Sequence, residues 1–199
     1  MRELQAGVWH WEATHPDWEP GADWPALVSS YAIDDGERLL LFDPLAAPNE
    51  LEGLAAGRET AIVLTCPWHA RDAVSLAERL GAKLYVPPPD EGDPDPVPGQ
   101  MFRAGDSLAV GVEAFPGMEI AGEANDFVLW VASRRALVAG DTLIDRGNGL
   151  EFPADWTNES VPAEQIAESL RPLLQLPVEV VLATHGGPFD RAALERALA

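Results

Sequence analysis

The sequence predicts an α/β fold in four layers, with two mixed β-sheets facing each other and helices outside. Three observations lead there. A continuous apolar run at residues 61–65 and a mostly apolar one at 178–182 read as buried strands. Segments with apolar residues at helical spacing follow or separate these runs. A proline-dense stretch, residues 87–99, divides the pattern into two halves, roughly 1–86 and 99–199, of a single 199-residue domain. Facing sheets flanked by helices would bury every one of these apolar faces.

The elements follow in order. Residues 27–33 are strand-like, the polar turn 34–37 follows, and 38–42 form a second strand, together a hairpin closed by Asp43-Pro44. Residues 49–56 suit a short helix that Gly57 stops. Strand 61–65 leads through Cys66-Pro67-Trp68-His69 into a helix. In it Ala70, Ala73, Val74, Ala77 and Leu80 share a face, and Gly81 ends it. Residues 83–86 return as a strand, so this β-α-β unit implies a parallel crossover. Prolines 87, 88, 89, 94, 96 and 98 keep the connection out of helix and interior strand.

Short strands are expected at 101–102, 108–110, 112–115, 127–131 and 136–139. A helix starting near Pro162 turns Ile166, Leu170, Leu173 and Leu174 inward, and Pro172 should kink or end it. Strand 178–182 runs into Ala183-Thr184-His185-Gly186-Gly187. The last helix starts at Arg191, with Asp190 as cap and Phe189 stapled onto Leu194.

Composition narrows function. With 13 basic and 33 acidic residues the net charge is −20, and Lys83 is the only lysine. Such a chain repels phosphate backbones and anionic bilayers, so neither nucleic acid nor membrane is an expected partner. The ordinary reading of the acidity is solubility, the functional one attraction for cations. Apolar residues make up 47%, too many for a disordered chain, and no apolar run is long enough to span a bilayer. One cysteine and no charged-then-apolar leader at the start fit a cytoplasmic protein.

Three strand ends carry chemistry-bearing residues: Cys66 to Asp72, Gly140-Asp141-Thr142, and Thr184-His185-Gly186. With Phe42-Asp43-Pro44 and Phe115-Pro116-Gly117-Met118, they make the chain from about residue 27 onward resemble the metallo-β-lactamase superfamily. That resemblance implies an αββα sandwich with one or two zinc or iron ions on one edge, activating a water. It also implies a run of metal-binding histidines and an aspartate directly after the strand ending at Thr65. Here Cys66, Trp68, Ala70 and Arg71 occupy those places, and Met118 replaces a further histidine. Asp141 and His185 keep the residues the resemblance implies.

Three arrangements follow. One divalent cation (zinc, iron or manganese) could sit on His69, Asp141 and His185, with Pro67 re-aiming the loop and Asp72 a spare carboxylate. Alternatively no metal binds, and Arg71 pairs bidentately with Asp141 in a pocket for a small molecule, also touched by Trp68, Cys66 and Met118. Thirdly, Cys66 and Met118 could make a soft site for copper(I). Asp141 and His185 are the catalytic candidates under a hydrolase reading: cleavage of a small ester, thioester or lactone. Against it stands a non-catalytic binding or interaction protein on the same scaffold. The ordinary alternatives are Cys66 as a buried hydrophobe, Asp141 as a turn cap and Arg71 as a solvated charge. The tryptophan-dense residues 8–18 with Trp24 either cover a sheet edge or wall a pocket, bringing His15 and Trp18 to its rim. His10 and His15 make no metal site there, and Glu123 is expected as an exposed turn carboxylate.

Overall fold

The computed structural model describes residues 1–120, 123–157 and 162–199. Seven strands stand side by side in chain order in the first sheet: β1 (Arg2–Gln5), β2 (Val8–Thr14), β3 (Leu27–Asp34), β4 (Arg38–Phe42), β5 (Glu59–Val63), β6 (Lys83–Val86) and β7 (Gln100–Met101). The second sheet holds β8 (Ser107–Leu108), β9 (Val112–Pro116), β10 (Phe127–Val131), β11 (Ala136–Gly140), β12 (Val180–Ala183) and β13 (Pro188–Asp190). These six run from β13 at one edge to β8 at the other, again in sequence order. β4, β5, β6 and β7 are mutually parallel, as are β11 and β12; the remaining pairs of the second sheet and the β1–β4 meander are antiparallel.

The layers follow from alternation along these strands. Tyr31, Ile33, Leu40, Phe42 and Val63 point from the first sheet into a core shared with Leu129, Val131, Val138 and Leu182 of the second. Leu39, Leu41, Ile62 and Leu64 point the other way, onto α1 (Glu50–Ala55) and α2 (Ala73–Leu80). Val128, Trp130, Leu137 and Val181 do the same against α3 (Ala163–Leu170) and α4 (Arg191–Ala197). This is the four-layer sandwich the sequence predicts.

Several boundaries differ for local reasons. α2 starts at Ala73 rather than Ala70, because residues 67–69 tighten into a 3-10 turn and Arg71 takes a positive φ of 39°. The strand expected at 108–110 stops at Leu108, where Gly111 turns the chain back with φ +77°. α3 passes into a 3-10 turn at Pro172, as its missing N–H requires. Asp190 caps α4, accepting from the Ala193 N–H at 2.9 Å. β1, β2 and β13 were not foreseen. The tryptophan-rich segment is a paired strand whose Val8, His10 and Trp11 are buried.

The two sheets are tied together at one end. The Ser29 N–H donates to Thr184 O at 2.8 Å, and the Phe127 N–H to Thr65 O at 2.9 Å. The Tyr31 hydroxyl adds a bond to Ala183 O at 2.7 Å. All three join residues near the ends of β5, β10 and β12, so the loops after β5, β11 and β12 share one rim.

Candidate functional site

Asp141 lies at the centre of that rim. It follows Gly140, whose φ is +56° and where a Cβ would stand 2.7 Å from Asp126 Oδ1 and 2.9 Å from Thr65 Cβ. Only glycine fits that crossing of strands. Asp126, which the sequence reading missed, is buried directly behind. Its carboxyl accepts from the Thr142 hydroxyl and, at 3.4 Å, from the Asp141 N–H. Burial, and then the charge of Asp141, push its pKa well above the usual carboxylate range.

The 3-10 turn after β5 swings His69 inward, although it stands one residue past the position the family resemblance marks. Its Nε2 comes to 3.4 Å from Asp141 Oδ2. Its Nδ1 faces Thr65 Oγ1 at 2.9 Å and Asp43 Oδ2 at 3.2 Å. Asp43, at the end of β4 with φ +46°, also accepts from the Thr65 N–H at 2.9 Å and the Thr65 hydroxyl at 2.7 Å. Its role was the second one missed; the only signal was an aspartate placed between a buried strand and a proline.

From the opposite side His185, after β12, brings its Nε2 to 3.4 Å from Asp141 Oδ1. Among the described residues its buried Nδ1 has no hydrogen-bond partner, and neither has Asp141 Oδ1. The Trp68 indole N–H donates to Asp141 Oδ2 at 3.0 Å.

Charge follows geometry. Burial works against the ionised form of Asp141, yet the His69 imidazole, and then His185 and Trp68, hold its carboxyl far below the ordinary range. Burial also disfavours a charged His69, but Asp141 and Asp43 outweigh it and raise that pKa to about 9. His185 goes the other way, to about 4, because burial dominates over its single carboxylate neighbour. Burial, and then the charge of Asp141, push the Cys66 thiol well above its ordinary range.

His69 and His185 thus each approach Asp141, but on different oxygens, so the three do not close into the single-cation trio the sequence suggests; Trp68 and Arg71 line the same pocket. Other expectations are corrected. Arg71 does not pair with Asp141; its Nη1 donates to Asp43 O at 2.9 Å, because the positive φ turns the side chain towards β3 and β4. Met118 does not reach the site. Its N–H donates to Thr142 Oγ1, and its side chain packs in the layer under α3, so no Cys66–Met118 pair exists for copper. Asp72 faces outward and accepts from the Ala46 N–H. Cys66 lies beneath the floor, fully buried, with donor atoms of Cys66, His69 and Asp141 all within 4.8 Å of one another. Glu123, by contrast, is the turn carboxylate expected, accepting from the Glu91 N–H of the proline-rich connection in an exposed bond. His15 lines the rim, while Trp18 stays behind it, donating to Trp24 O at 2.9 Å.

The residues present fit a cation through Cys66, His69 and Asp141, the group among the described residues whose donor atoms all lie within 4.8 Å of one another, while His185 faces the other oxygen of Asp141. Charge-assisted N–H···O bonds are about 2.7–2.9 Å long, shorter than the two 3.4 Å imidazole–carboxylate separations. Neighbouring ligands of a tetrahedral cation bonded at about 2.0–2.1 Å stand roughly 3.3–3.4 Å apart. The Asp43 carboxylate on the far nitrogen of His69 is the partner that metal-binding imidazoles require. Above lies a cavity of about 520 Å³ walled by Trp24, Trp68 and Trp156.

Comparison with known proteins agrees with this layout. No family model matches the chain, and no curated protein does so. Solved structures do. The metallo-β-lactamase DIM-1, in a crystal exposed to ceftazidime, superposes with a TM-score of 0.69 at 15% identity, over 99% of this chain and 93% of that one. A metallo-β-lactamase family protein of Thermus thermophilus, TTHA1429, gives 0.62 at 19% identity, over 98% and 78%. TTHA1623 in a di-iron-bound form gives 0.61 at 23%, over 87% and 94%. The chain has the metallo-β-lactamase fold. Its site keeps the aspartate and the last histidine of the pattern read in the sequence.

Proposed function

We propose that this chain is a hydrolase using one divalent cation, held by Cys66, His69 and Asp141 with His185 at the other oxygen of the carboxylate, to cleave a small ester, thioester or lactone. The observation that carries this reading is the convergence on Asp141. Two imidazole Nε2 atoms approach its two oxygens at 3.4 Å each, and one oxygen is buried without a hydrogen bond, at the floor of a cavity. Zinc, iron and manganese all suit nitrogen and oxygen donors, and the di-iron form of TTHA1623 lends weight to iron.

Bound there, the cation would lower the pKa of a water towards about 7 and polarise a carbonyl. The chain's own residues do the rest. Asp43 and Thr65 hold the His69 ring so that Nε2 faces the centre. Trp68 orients the Asp141 carboxylate, and Asp126 with Thr142 fixes the backbone that carries it. The indoles wall the cavity above the floor. His185 Nδ1, free of any partner, is the atom placed to hold or pass a proton.

A second reading is a metal-free small-molecule-binding protein, and one observation favours it: three N–H-bearing rings already surround the two oxygens of Asp141. Elemental analysis of protein purified without chelator separates the two. About one zinc, iron or manganese per chain, lost in His69→Ala together with thioester turnover, is expected. Metal-free protein whose melting temperature ignores chelator overturns the hydrolase reading. In either case a small molecule is the proposed partner, and a reducing cytoplasm suits the lone buried thiol of Cys66.

A further inference from the structure

We infer that the mouth of this pocket receives a positively charged organic group, of the size of a quaternary ammonium, so that the substrate is a cationic ester or thioester. The inference rests on the hydrolase reading only for the reacting carbonyl; the cation subsite stands on its own residues. Trp24 and Trp156 wall the mouth on either side of His185, with ring centroids 5.3 and 6.0 Å from the imidazole. Trp68 closes the third side. Indole faces attract cations through their quadrupole, most strongly where water is excluded.

Two carboxylates complete the cage. Asp17 and Asp23 line the same mouth, and among the described residues neither makes an ion pair. Asp23 is fixed in place by the Trp156 indole N–H at 2.6 Å, which binds the loop between β2 and β3 to the loop after β11. Trp156 already takes a cation on one ring face: Arg146 lies 5.9 Å from the centroid, its charge satisfied by Asp155 at 2.7 and 2.8 Å.

The opposing charges sit deeper. Among the described residues Arg71 is the one arginine or lysine lining the pocket, and its Nη1 is directed to the Asp43 carbonyl. His69 lies on the floor between Asp43 and Asp141. The charge pattern therefore runs from a negative mouth to a floor of paired charges. A chain of net charge −20 also draws cations towards that mouth. An ester carrying its ammonium on the leaving group would place its carbonyl over Asp141 and its cation between the indoles.

The test is a matched pair of probes titrated into the purified protein, followed by tryptophan fluorescence and calorimetry. Choline and 3,3-dimethylbutan-1-ol have the same shape and differ in having nitrogen or carbon at the centre. Choline is expected to bind about tenfold more tightly. Asp17→Asn with Asp23→Asn, both exposed positions, should erase most of that preference and leave the alcohol unaffected; Trp24→Leu should weaken both. Equal binding of the pair, or tighter binding of 3,3-dimethylbutanoate through Arg71, overturns the inference. Turnover of neutral thioesters without choline preference sinks this subsite alone. Choline binding without any turnover sinks the hydrolase reading alone.

Discussion

The loops after β5 and β12 face each other across Asp141, and each brings an imidazole Nε2 to 3.4 Å from it. They are held by opposite means. The β5 loop is pinned by side chains: Asp43 and Thr65 occupy the far nitrogen of His69. The β12 loop is pinned by main chain: Thr184 O receives the Ser29 N–H, and His185 O the Asp145 N–H. Holding by side chain commits the ring, and holding by backbone leaves it free. One histidine is therefore oriented for life, with its pKa raised to about 9, while the other keeps an unpartnered Nδ1 and a pKa near 4.

Replacing the shared carboxylate removes the reason for the comparison and should have the largest effect. Asp141→Asn is expected to cut thioester kcat/KM by about 10³-fold or more while circular dichroism stays native. The next change strikes one side only. Asp43→Asn removes the charge and puts an amide NH2 in place of one of the two oxygens that Thr65 and His69 share, and should cost about 3 kcal/mol in urea unfolding. It should also weaken cation binding about 10- to 100-fold, the usual loss when the partner of a metal-binding histidine is removed.

The main-chain side is broken at Gly186, whose φ is +106° and where a Cβ would stand 2.6 Å from Asp145 Cβ. Gly186→Ala should cost about 1–3 kcal/mol in the same assay. His185→Gln, which severs no hydrogen bond of Nδ1, should cost less than about 1 kcal/mol and still abolish turnover. If it unfolds the protein as Asp43→Asn does, the two loops are not held differently.

The smallest effect is a pH slope. His10 supports the β12 side from outside, with Nε2 2.9 Å from Ser29 Oγ, which in turn reaches Gly186 O. Burial, followed by Arg2 and the N-terminal amine, lowers its pKa from 6.5 to about 4. Between those values the unfolded chain takes up a proton that the folded chain refuses, so stability falls as pH drops from 6.5 towards 4. His10→Asn should flatten that part of the curve in chelator-treated protein, measured as melting temperature against pH.

The sequence disclosed the scaffold more readily than the site. Buried parallel strands announce themselves as apolar runs, and 61–65 and 178–182 did so because both of their faces are covered. β2 was harder. Its tryptophans satisfied a packing explanation without strand pairing, although Gly7 before a stretch of aromatic and β-branched residues was a turn-then-strand signal. β13 has three residues and starts with proline, too short for any period. At the site, Asp141 and His185 were legible because each directly follows a buried strand. His69 needed a re-aimed loop, and the 3-10 turn at Pro67 supplies it. The tryptophan density allowed for a pocket wall, but the roles of Asp43 and Asp126 and the bond from Trp156 to Asp23, 133 residues apart, rest on contacts far along the chain that no local pattern records. Arg71 misled because its backbone conformation, not its position in the sequence, decides where the guanidinium goes.

The main-chain bonds from Ser29 to Thr184 and from Phe127 to Thr65 make the reactive rim the weld of the sandwich. Ligand entry cannot then proceed by the sheets parting like a clam. Passage is left to the short stretch bearing Asp17, Asp23 and Trp24, whose side chains border the opening. Whatever specificity this chain has acquired can change by remodelling that stretch while the load-carrying joint beneath it stays untouched.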